Sequence, residues 1–272
     1  MHVNRILAIN PGATSTKFAV FDDETVLFKK TVEHQGDELK IFSHVFDQHP
    51  YRTELICKEL AEAGISLESL KAVVGRGGLL KPVVGGTYRV NETMVKEMEQ
   101  APRGEHASNL GSVIAYDLAA ELNIPAFIVD PVSVDELEPI ARVSGSPLLE
   151  RVSMTHALNM KAVSRKVAAE MGRKYEDLSL IVAHLGTGVS LSAHLGGRMI
   201  DMADGKEEGP FAPDRCGGLP CSQLVRLCYS GQYTEREMRA ALFGSGGLYA
   251  YLGTKDSRQV KKMADEGNAQ AA

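Results

Sequence analysis

One pattern of residues occurs twice in this chain and limits the folds that the chain can adopt. It is carried by two stretches, LAINPGATSTKFAVFDDETVLF near the start and IVAHLGTGVSLSAHLGGRMIDM in the second half. Each stretch reads as a strand, a turn of small residues, a second strand, a short turn and a third strand. A repeat of this length predicts two related domains that both begin with an antiparallel meander.

The remaining pattern places helices between the strands. Apolar runs predict strands at residues 5–10, 16–22, 25–33, 72–75 and 126–129, and later at 180–183, 189–194 and 198–202. Helical spacing predicts helices at residues 40–63, with a break near Pro50, at 108–122 and at 156–171. This order indicates an α/β chain with mixed sheets covered by helices. We expect one domain over residues 1–150 and a second over residues 151–272.

The turn in the first repeat has a composition that suits an anion. Residues 11–16, PGATST, supply backbone N–H groups and three hydroxyls, and Lys17 adds a cation directly after them. Lys17 leads into the apolar run FAVF and not into a helix, which excludes a Walker A loop. A flexible loop without a ligand is the alternative. The second turn, HLGTG, favours phosphate, because two such turns can hold one polyphosphate from two sides.

Composition excludes several classes of partner. The formal net charge of −5, with Lys and Arg scattered along the chain, argues against a nucleic-acid binder. No secretory leader or membrane-spanning run is present, so we expect a cytoplasmic protein that binds a small molecule. The spacing of Cys216, Cys221 and Cys228 fits no zinc site, and with Cys57 we expect them to be reduced and structural.

Seven motifs in a fixed order resemble the acetate and butyrate kinase branch of the actin-like, sugar-kinase and heat-shock ATPase superfamily, and butyrate kinases most closely. They are INPGATSTK, VVGRGGLLKPVVGGTY, EHASNLG, IPAFIVDPVSVDEL, IVAHLGTGVS, GPFAPDRCGGLP and GLYAYLGT. The resemblance implies two duplicated ribonuclease H-like domains with mixed sheets. It also implies Mg²⁺-dependent, reversible transfer of the γ-phosphoryl group of ATP to butyrate or a similar short-chain carboxylate, giving an acyl phosphate and ADP.

The resemblance assigns four catalytic residues. Arg76, at the end of a strand and flanked by glycines, would hold the carboxylate or the moving phosphoryl group, for which a planar guanidinium is suited. Arg215 would stabilise charge in the transition state, and His106 matches the active-site histidine before the Asn-Leu pair. Asp130 would position Mg²⁺ or the transferring group. The alternatives are a surface ion pair for Arg76, pairing with Asp214 alone for Arg215, and a structural role for His106.

The same resemblance assigns the nucleotide phosphates to the two turns. The residues concerned are Asn10, Gly12, Ser15 and Lys17 in the first turn and His184, Gly186 and Gly188 in the second. Ala13 and Thr187 depart from the family pattern, in which Ser and Asn or Gly are usual. His156 begins a predicted helix, and either an active-site role or none fits its position.

Relatives in this family continue beyond the GLYAYLGT motif, so the resemblance implies an incomplete second domain and puts self-association through that domain in doubt. Three hypotheses follow. The first is a butyrate-kinase-like phosphotransferase. The second is a catalytically impaired chain that still binds carboxylates or acyl phosphates. The third, a sugar or polyol kinase, is disfavoured because such enzymes place an Asp base against a hydroxyl, whereas the Arg-rich glycine turns suit a carboxylate.

Overall fold

The computed structural model of the protein describes residues 3–203 and 208–272. The chain forms two compact units, of which the first ends at Val134 and the second begins at Asp135. Within the described ranges, no helix has the length and apolar character needed to cross a membrane. Each unit contains one sheet, and the two sheets begin with the same arrangement of strands.

The segment that follows Asp135 packs within the second unit. Leu137 and Ala141 share a buried apolar cluster with Met202, and the Glu138 N–H donates to the carbonyl of Ile200 at 2.9 Å. The sequence analysis placed the junction between domains near Arg151, because the segment has little regular pattern. Its attachment depends on contacts with a strand about 60 residues later, which local pattern does not reveal.

The first unit is built on a six-stranded mixed sheet in the order β3-β2-β1-β4-β6-β5. β1, β4 and β6 are parallel to one another, whereas β1–β2, β2–β3 and β5–β6 are antiparallel. The prediction of a mixed sheet is confirmed, but the short strand β5 was not predicted. The strands are β1 (Arg5–Pro11), β2 (Ser15–Asp22), β3 (Thr25–Glu33), β4 (Ala72–Gly75), β5 (Thr87–Arg89) and β6 (Ala126–Val129).

The described helices of the first unit follow its strands, and all but the first of them contribute buried apolar side chains to its core. They are α1 (Gly36–Lys40), α2 (His49–Glu62), α3 (Glu92–Gln100) and α4 (Asn109–Glu121). The predicted helix over residues 40–63 was wrong in its first part. Pro50 lies in the first turn of α2, where a missing backbone N–H removes no helical hydrogen bond. The proline therefore starts a helix and does not interrupt one.

Two glycines allow β4 and α4 to approach closely. A Cβ atom at Gly75 would lie 1.9 Å from the Gly111 carbonyl oxygen, and one at Gly111 would lie 2.3 Å from the Arg76 carbonyl oxygen. Real Cβ atoms do not approach backbone this closely, so only glycine fits at either position. This contact sets the distance between the end of β4, which Arg76 directly follows, and the first turn of α4.

The second unit repeats the opening meander. Its sheet has the order β7-β8-β9 within the described residues, and both pairs are antiparallel. In each unit the second strand has a register shift near its end, between Val20 and Phe21 and between Ala193 and His194. The matching irregularity supports the predicted duplication. The strands are β7 (Ser179–Leu185), β8 (Val189–Leu195) and β9 (Arg198–Ala203).

One helix of the second unit packs on this sheet, and others follow it in the chain. The helices are α5 (Ala157–Glu170), α6 (Cys221–Cys228), α7 (Glu235–Leu242), α8 (Gly247–Leu252) and α9 (Ser257–Asp265). α5 contacts β7, and Gly172 follows its C-cap with a φ of 65°, a conformation that favours glycine. β7 lies at the edge of the sheet, and its Ile181 and Leu185 side chains are 77% and 78% exposed. Within the described residues, this face of β7 is therefore not covered by another element.

A buried polar cluster lies between α5 and the sheet of the second unit. His194 is 2% exposed, and its Nδ1 and Nε2 atoms lie 2.6 Å from the Tyr175 hydroxyl and 2.5 Å from Ser192 Oγ. Desolvation, followed by the positive charge of Lys161, lowers the pKa of His194 to about 4, and Glu136 opposes the shift. The imidazole is therefore neutral in the folded protein at pH 7.

This histidine predicts a loss of stability in acid. Unfolded histidine has a pKa near 6.5, so as the pH falls from about 6.5 to about 4 the unfolded chain takes up a proton that folded His194 does not. The free energy of unfolding should fall by about 3 kcal/mol over this range. Urea titrations followed by circular dichroism between pH 7 and pH 4 will measure it. His194→Gln should flatten the profile relative to the natural chain, and equal slopes would contradict the assignment.

Candidate active site

The strand order of the first unit brings three of the predicted site residues together at the C-terminal ends of its parallel strands. Ile9, Gly75 and Ile128 lie in register on the parallel strands β1, β4 and β6. Asn10 and Arg76 therefore occupy adjacent positions directly after Ile9 and Gly75, and Asp130 follows the end of β6. The carboxyl ends of parallel strands are a common place for ligand-binding side chains in α/β proteins.

Arg76 lies against Asn10 at these strand ends. Its Nη1 atom donates to Asn10 Oδ1 at 3.3 Å. Desolvation lowers the pKa of Arg76, although a guanidinium remains charged at all physiological pH values. Within the described residues Arg76 makes no ion pair. The remaining guanidinium N–H groups are suited to forming two parallel hydrogen bonds with a carboxylate or phosphate group.

The first turn follows directly after Asn10. It is closed by a hydrogen bond from the Gly12 N–H to the Ser15 carbonyl at 2.7 Å. Ala13 and Thr14 are exposed at its tip, and within the described residues their N–H groups have no hydrogen-bond partner. Lys17 is exposed and pairs with Asn10 across β1 and β2. Free N–H groups next to a lysine give the turn the features of an anion site.

Asp130 is placed differently from its neighbours at the sheet edge. Asp130 is 0% exposed, and its Oδ1 atom accepts a hydrogen bond from the Gly86 N–H at 2.7 Å. Its φ angle is +39°, in a region that Asp and Asn enter more readily than most residues. Gly86 also accepts a hydrogen bond from the Asp130 N–H at 2.9 Å. Asp130 thus holds the loop before β5 as well as lying near the site.

His106 precedes helix α4 and is exposed. Its Nδ1 atom lies 2.8 Å from Ser108 Oγ and accepts from the Ser108 N–H at 3.1 Å. Asn109, the first residue of α4, accepts from the Leu79 N–H through Oδ1 at 2.9 Å. These contacts connect the EHASNLG motif to the loop that follows Arg76.

The second turn brings together Gly188 and Arg215 within the second unit. A Cβ atom at Gly188 would lie 2.6 Å from Arg215 Cζ, so the guanidinium occupies the space that a side chain at this position would fill. Arg215 Nε is 3.8 Å from Asp214 Oδ1, while Lys255 Nζ is 3.3 Å from Asp214 Oδ2. Asp214 is therefore shared by two cations, and Arg215 also lies against Gly188.

His184 of the second turn stacks on His156. The two rings are 3.8 Å apart between centroids and 6° from parallel. His156 Nδ1 lies 3.1 Å from Ser190 Oγ, and His184 Nδ1 lies 3.1 Å from Asn159 Oδ1. A Cβ atom at Gly186 would lie 3.1 Å from His184 Nε2. His156 thus contacts a predicted site residue directly.

The sequence analysis missed Arg52, which contacts the first turn. Its Nη1 atom donates to the carbonyls of Gly12 at 3.0 Å and Ser15 at 3.2 Å. A signal was present, because Arg52, Ile56 and Leu60 follow one another at intervals of four residues and form the buried face of α2. A charged residue at such a position needs a buried partner, and helical periodicity alone does not identify it.

The donor set for a metal ion is small. Within the described ranges, no group of three or more His, Cys, Asp and Glu side chains could hold a metal ion. Mg²⁺ does not require such a group, because it commonly takes one or two carboxylates and completes its shell with phosphate oxygens and water. Asp130 supplies one carboxylate beyond the end of β6, but it is buried and already accepts from the Gly86 N–H, so it could reach Mg²⁺ only after the loop at Gly86 moves.

Solved structures of carboxylate kinases resemble the whole chain. This chain matches the structure of acetate kinase from Porphyromonas gingivalis with a TM-score of 0.78 and 18% identity, and the match covers 98% of this chain and 75% of the acetate kinase chain. A propionate kinase from Francisella tularensis subsp. tularensis gives a TM-score of 0.74 at 18% identity, over 98% and 75% of the two chains. Acetate kinase from Entamoeba histolytica gives 0.71 at 18% identity, over 98% and 73%. The α/β fold with mixed sheets flanked by helices is therefore the fold of these proteins.

A family model adds sequence evidence for the second half. Residues 149–272 match the model described as the Acetokinase family. This range contains β7–β9, the HLGTG turn, His156 and Arg215. The match covers somewhat less than half of the chain and includes the second of the two repeated turns.

Proposed function

We propose that this chain is a carboxylate kinase, which transfers the γ-phosphoryl group of ATP to butyrate or a similar short-chain carboxylate and forms an acyl phosphate and ADP reversibly. The observation that carries the proposal is the position of Arg76. It lies beside Asn10 at the carboxyl edge of the sheet, next to a turn with free N–H groups. The match of residues 149–272 to the Acetokinase family model supports the same chemistry.

The proposed reaction depends more on the positioning of its reactants than on proton transfer. A carboxylate is ionised at pH 7 and needs no general base to become a nucleophile. Phosphoryl transfer is promoted mainly by alignment and by stabilising charge on the transferred group. Arg76 would hold the carboxylate or the phosphoryl group, and Arg215 would stabilise the developing charge. His106 would donate to a phosphoryl oxygen.

The nucleotide phosphates would bind through the two turns. In the first turn, Asn10, Ser15 and Lys17 would provide amide, hydroxyl and ammonium donors, and Gly12 would contribute through the shape of the turn that its N–H closes. In the second, His184, Gly186 and Gly188 present an imidazole and a backbone with little side-chain bulk. Mg²⁺, when bound, would neutralise phosphate charge, and Asp130 is the residue that would hold it.

The preference for butyrate comes from the resemblance of the motifs. One methylene in an apolar pocket changes the free energy of binding by only about 1–3 kcal/mol, so acetate, propionate and butyrate must be compared directly. Self-association through the second unit is a further proposal of the same origin.

Trapping of the acyl phosphate tests the proposal. The full 272-residue chain is incubated with Mg-ATP, hydroxylamine and acetate, propionate or butyrate, and acyl hydroxamate is measured. We expect ATP-dependent hydroxamate, with kcat/KM highest for butyrate. Omission of ATP and the variant Arg76→Ala serve as controls, and both should give no product above background.

Two other results would change the proposed function. If butyrate raises the thermal midpoint of the chain and no hydroxamate forms, the protein binds acyl groups without phosphoryl transfer. If neither butyrate nor ATP binds, the kinase proposal is wrong.

A further inference from the structure

Arg52 is a fully buried cation beneath the first turn. Its side chain is 0% exposed and lies on the inner face of α2 with Ile56 and Leu60. Arginine is seldom buried this completely unless a charged group accompanies it. Its surroundings therefore need an explanation that the apolar core does not provide.

The groups that accept from Arg52 are all neutral. Nη1 donates to the carbonyls of Gly12 and Ser15 and to Thr16 Oγ1, at 3.0, 3.2 and 2.9 Å. Nε and Nη2 donate to Gln48 Oε1 at 3.2 and 2.8 Å. Within the described residues no carboxylate forms an ion pair with Arg52. Each nitrogen of the guanidinium donates at least one hydrogen bond, but its charge is not neutralised by an acidic side chain among the described residues.

These contacts also fix the direction of the turn. The Gly12 carbonyl and the Ala13 N–H belong to one trans peptide group, in which the two bonds point in opposite directions. Because the carbonyl points at Arg52, the Ala13 N–H points away from it, towards the exposed tip of the turn. An anion at the tip would meet this N–H group with a positive charge behind it.

A neighbouring histidine adds no second charge. His34 Nε2 lies 2.8 Å from Thr16 Oγ1, the same hydroxyl that accepts from Arg52. Desolvation, and then the charge of Arg52, lower the pKa of His34, so the imidazole is neutral at pH 7. The buried positive charge under the turn is therefore that of the guanidinium.

We propose that Arg52 is a positioning residue for the first turn, and that its buried charge is balanced by the phosphate group which the turn binds. This inference rests on the proposed function, because the phosphate group is taken to be that of the nucleotide. The ligand class is a polyphosphate anion, and Arg52 acts on it through the backbone of the turn without touching it.

Binding of inorganic tripolyphosphate tests the inference without requiring catalysis. Isothermal titration of the full chain should show binding that weakens at least about tenfold in Arg52→Met and about threefold in Arg52→Lys, which keeps the charge but loses the planar fork. Arg5→Met is the matched control, since Arg5 pairs with Asp22 at the opposite end of β1. The control should bind tripolyphosphate as the natural chain does.

Hydrogen exchange separates positioning from general damage. Peptides covering residues 11–16 should exchange faster in Arg52→Lys, while those from β4 and α4 keep their protection. If Arg52→Met fails to fold, Arg52→Lys carries the test alone. Unchanged binding and exchange in Arg52→Lys, or no tripolyphosphate binding by the natural chain, would overturn the inference.

Steady-state kinetics link the inference to the proposed reaction. Arg52→Lys should raise KM for ATP several-fold and leave KM for butyrate within about twofold, because the two ligands meet different residues. A chain that binds tripolyphosphate in this Arg52-dependent way but forms no hydroxamate would contradict the proposed kinase and leave the role of Arg52 standing.

Discussion

Replacing Arg215 with alanine should lower kcat for acyl hydroxamate formation by about a thousandfold, with a smaller change in KM for ATP. The guanidinium lies directly on the second turn, where a Cβ atom at Gly188 would be only 2.6 Å from its Cζ atom. If the second turn binds phosphate as proposed, a group held this closely to it can meet charge that develops during transfer. Arg215→Lys keeps the charge but loses the planar fork, so we expect a loss of about a hundredfold.

A second variant tests the same contact by a substitution at the glycine of the turn. Gly188→Ala would place its Cβ atom within 3 Å of three guanidinium atoms of Arg215 and should displace the side chain. Its kcat should therefore fall in the same direction as that of Arg215→Ala. Arg198→Ala is the control, because Arg198 is exposed in the same unit and pairs with Glu138. Retention of kcat within threefold in Arg215→Ala would refute a transition-state role.

Replacing Gly75 with alanine should destabilise the first unit by more than about 3 kcal/mol, at or beyond the upper end of the usual range for overpacking. The added Cβ atom would lie 1.9 Å from the Gly111 carbonyl oxygen and 2.9 Å from the Ser112 nitrogen. These are backbone atoms, which cannot rotate aside as a side chain would. β4 and α4 would have to separate, and the core behind them would loosen.

Thermal unfolding measures this effect. A loss of this size corresponds to a fall in Tm of more than about 8 °C. Gly145→Ala is the control, because its added Cβ atom meets no atom within 4 Å and should leave Tm almost unchanged. If Gly75→Ala unfolds within 2 °C of the natural chain, the close contact between β4 and α4 is not present in solution.

The sequence was most informative where pattern and structure are both local. β3 (Thr25–Glu33), β4 and β6 have their predicted bounds, and β1 and β2 differ by one residue, because alternating or continuous apolar runs fix a strand without reference to the rest of the chain. β5 has three residues, too few to show a period. Helix α3 has a usable signal, since Asn91 Oδ1 accepts from the Met94 N–H as an N-cap, but it was not recognised.

Sequence motifs singled out the candidate site residues one by one, but they did not show which of these residues lie together in the fold. Arg76 and Asn10 were singled out separately, and only the parallel register of β1 and β4 places them together. Arg52 shows the limit of pattern, because its role depends on a turn about 40 residues earlier in the chain. The stacking of His156 on His184 likewise joins residues 28 apart in sequence. The roles of these residues in catalysis remain predictions.

The way in which the two turns are held has a consequence for protein engineering. Gly12 and Ser15 are held through their carbonyl groups, and Gly188 is held by the guanidinium packed upon it. Ala13 and Thr187, the two departures from the family pattern, are exposed at the tips and contribute little to either support. Positions 13 and 187 are therefore open to redesign of ligand preference, whereas position 188 is closed to it.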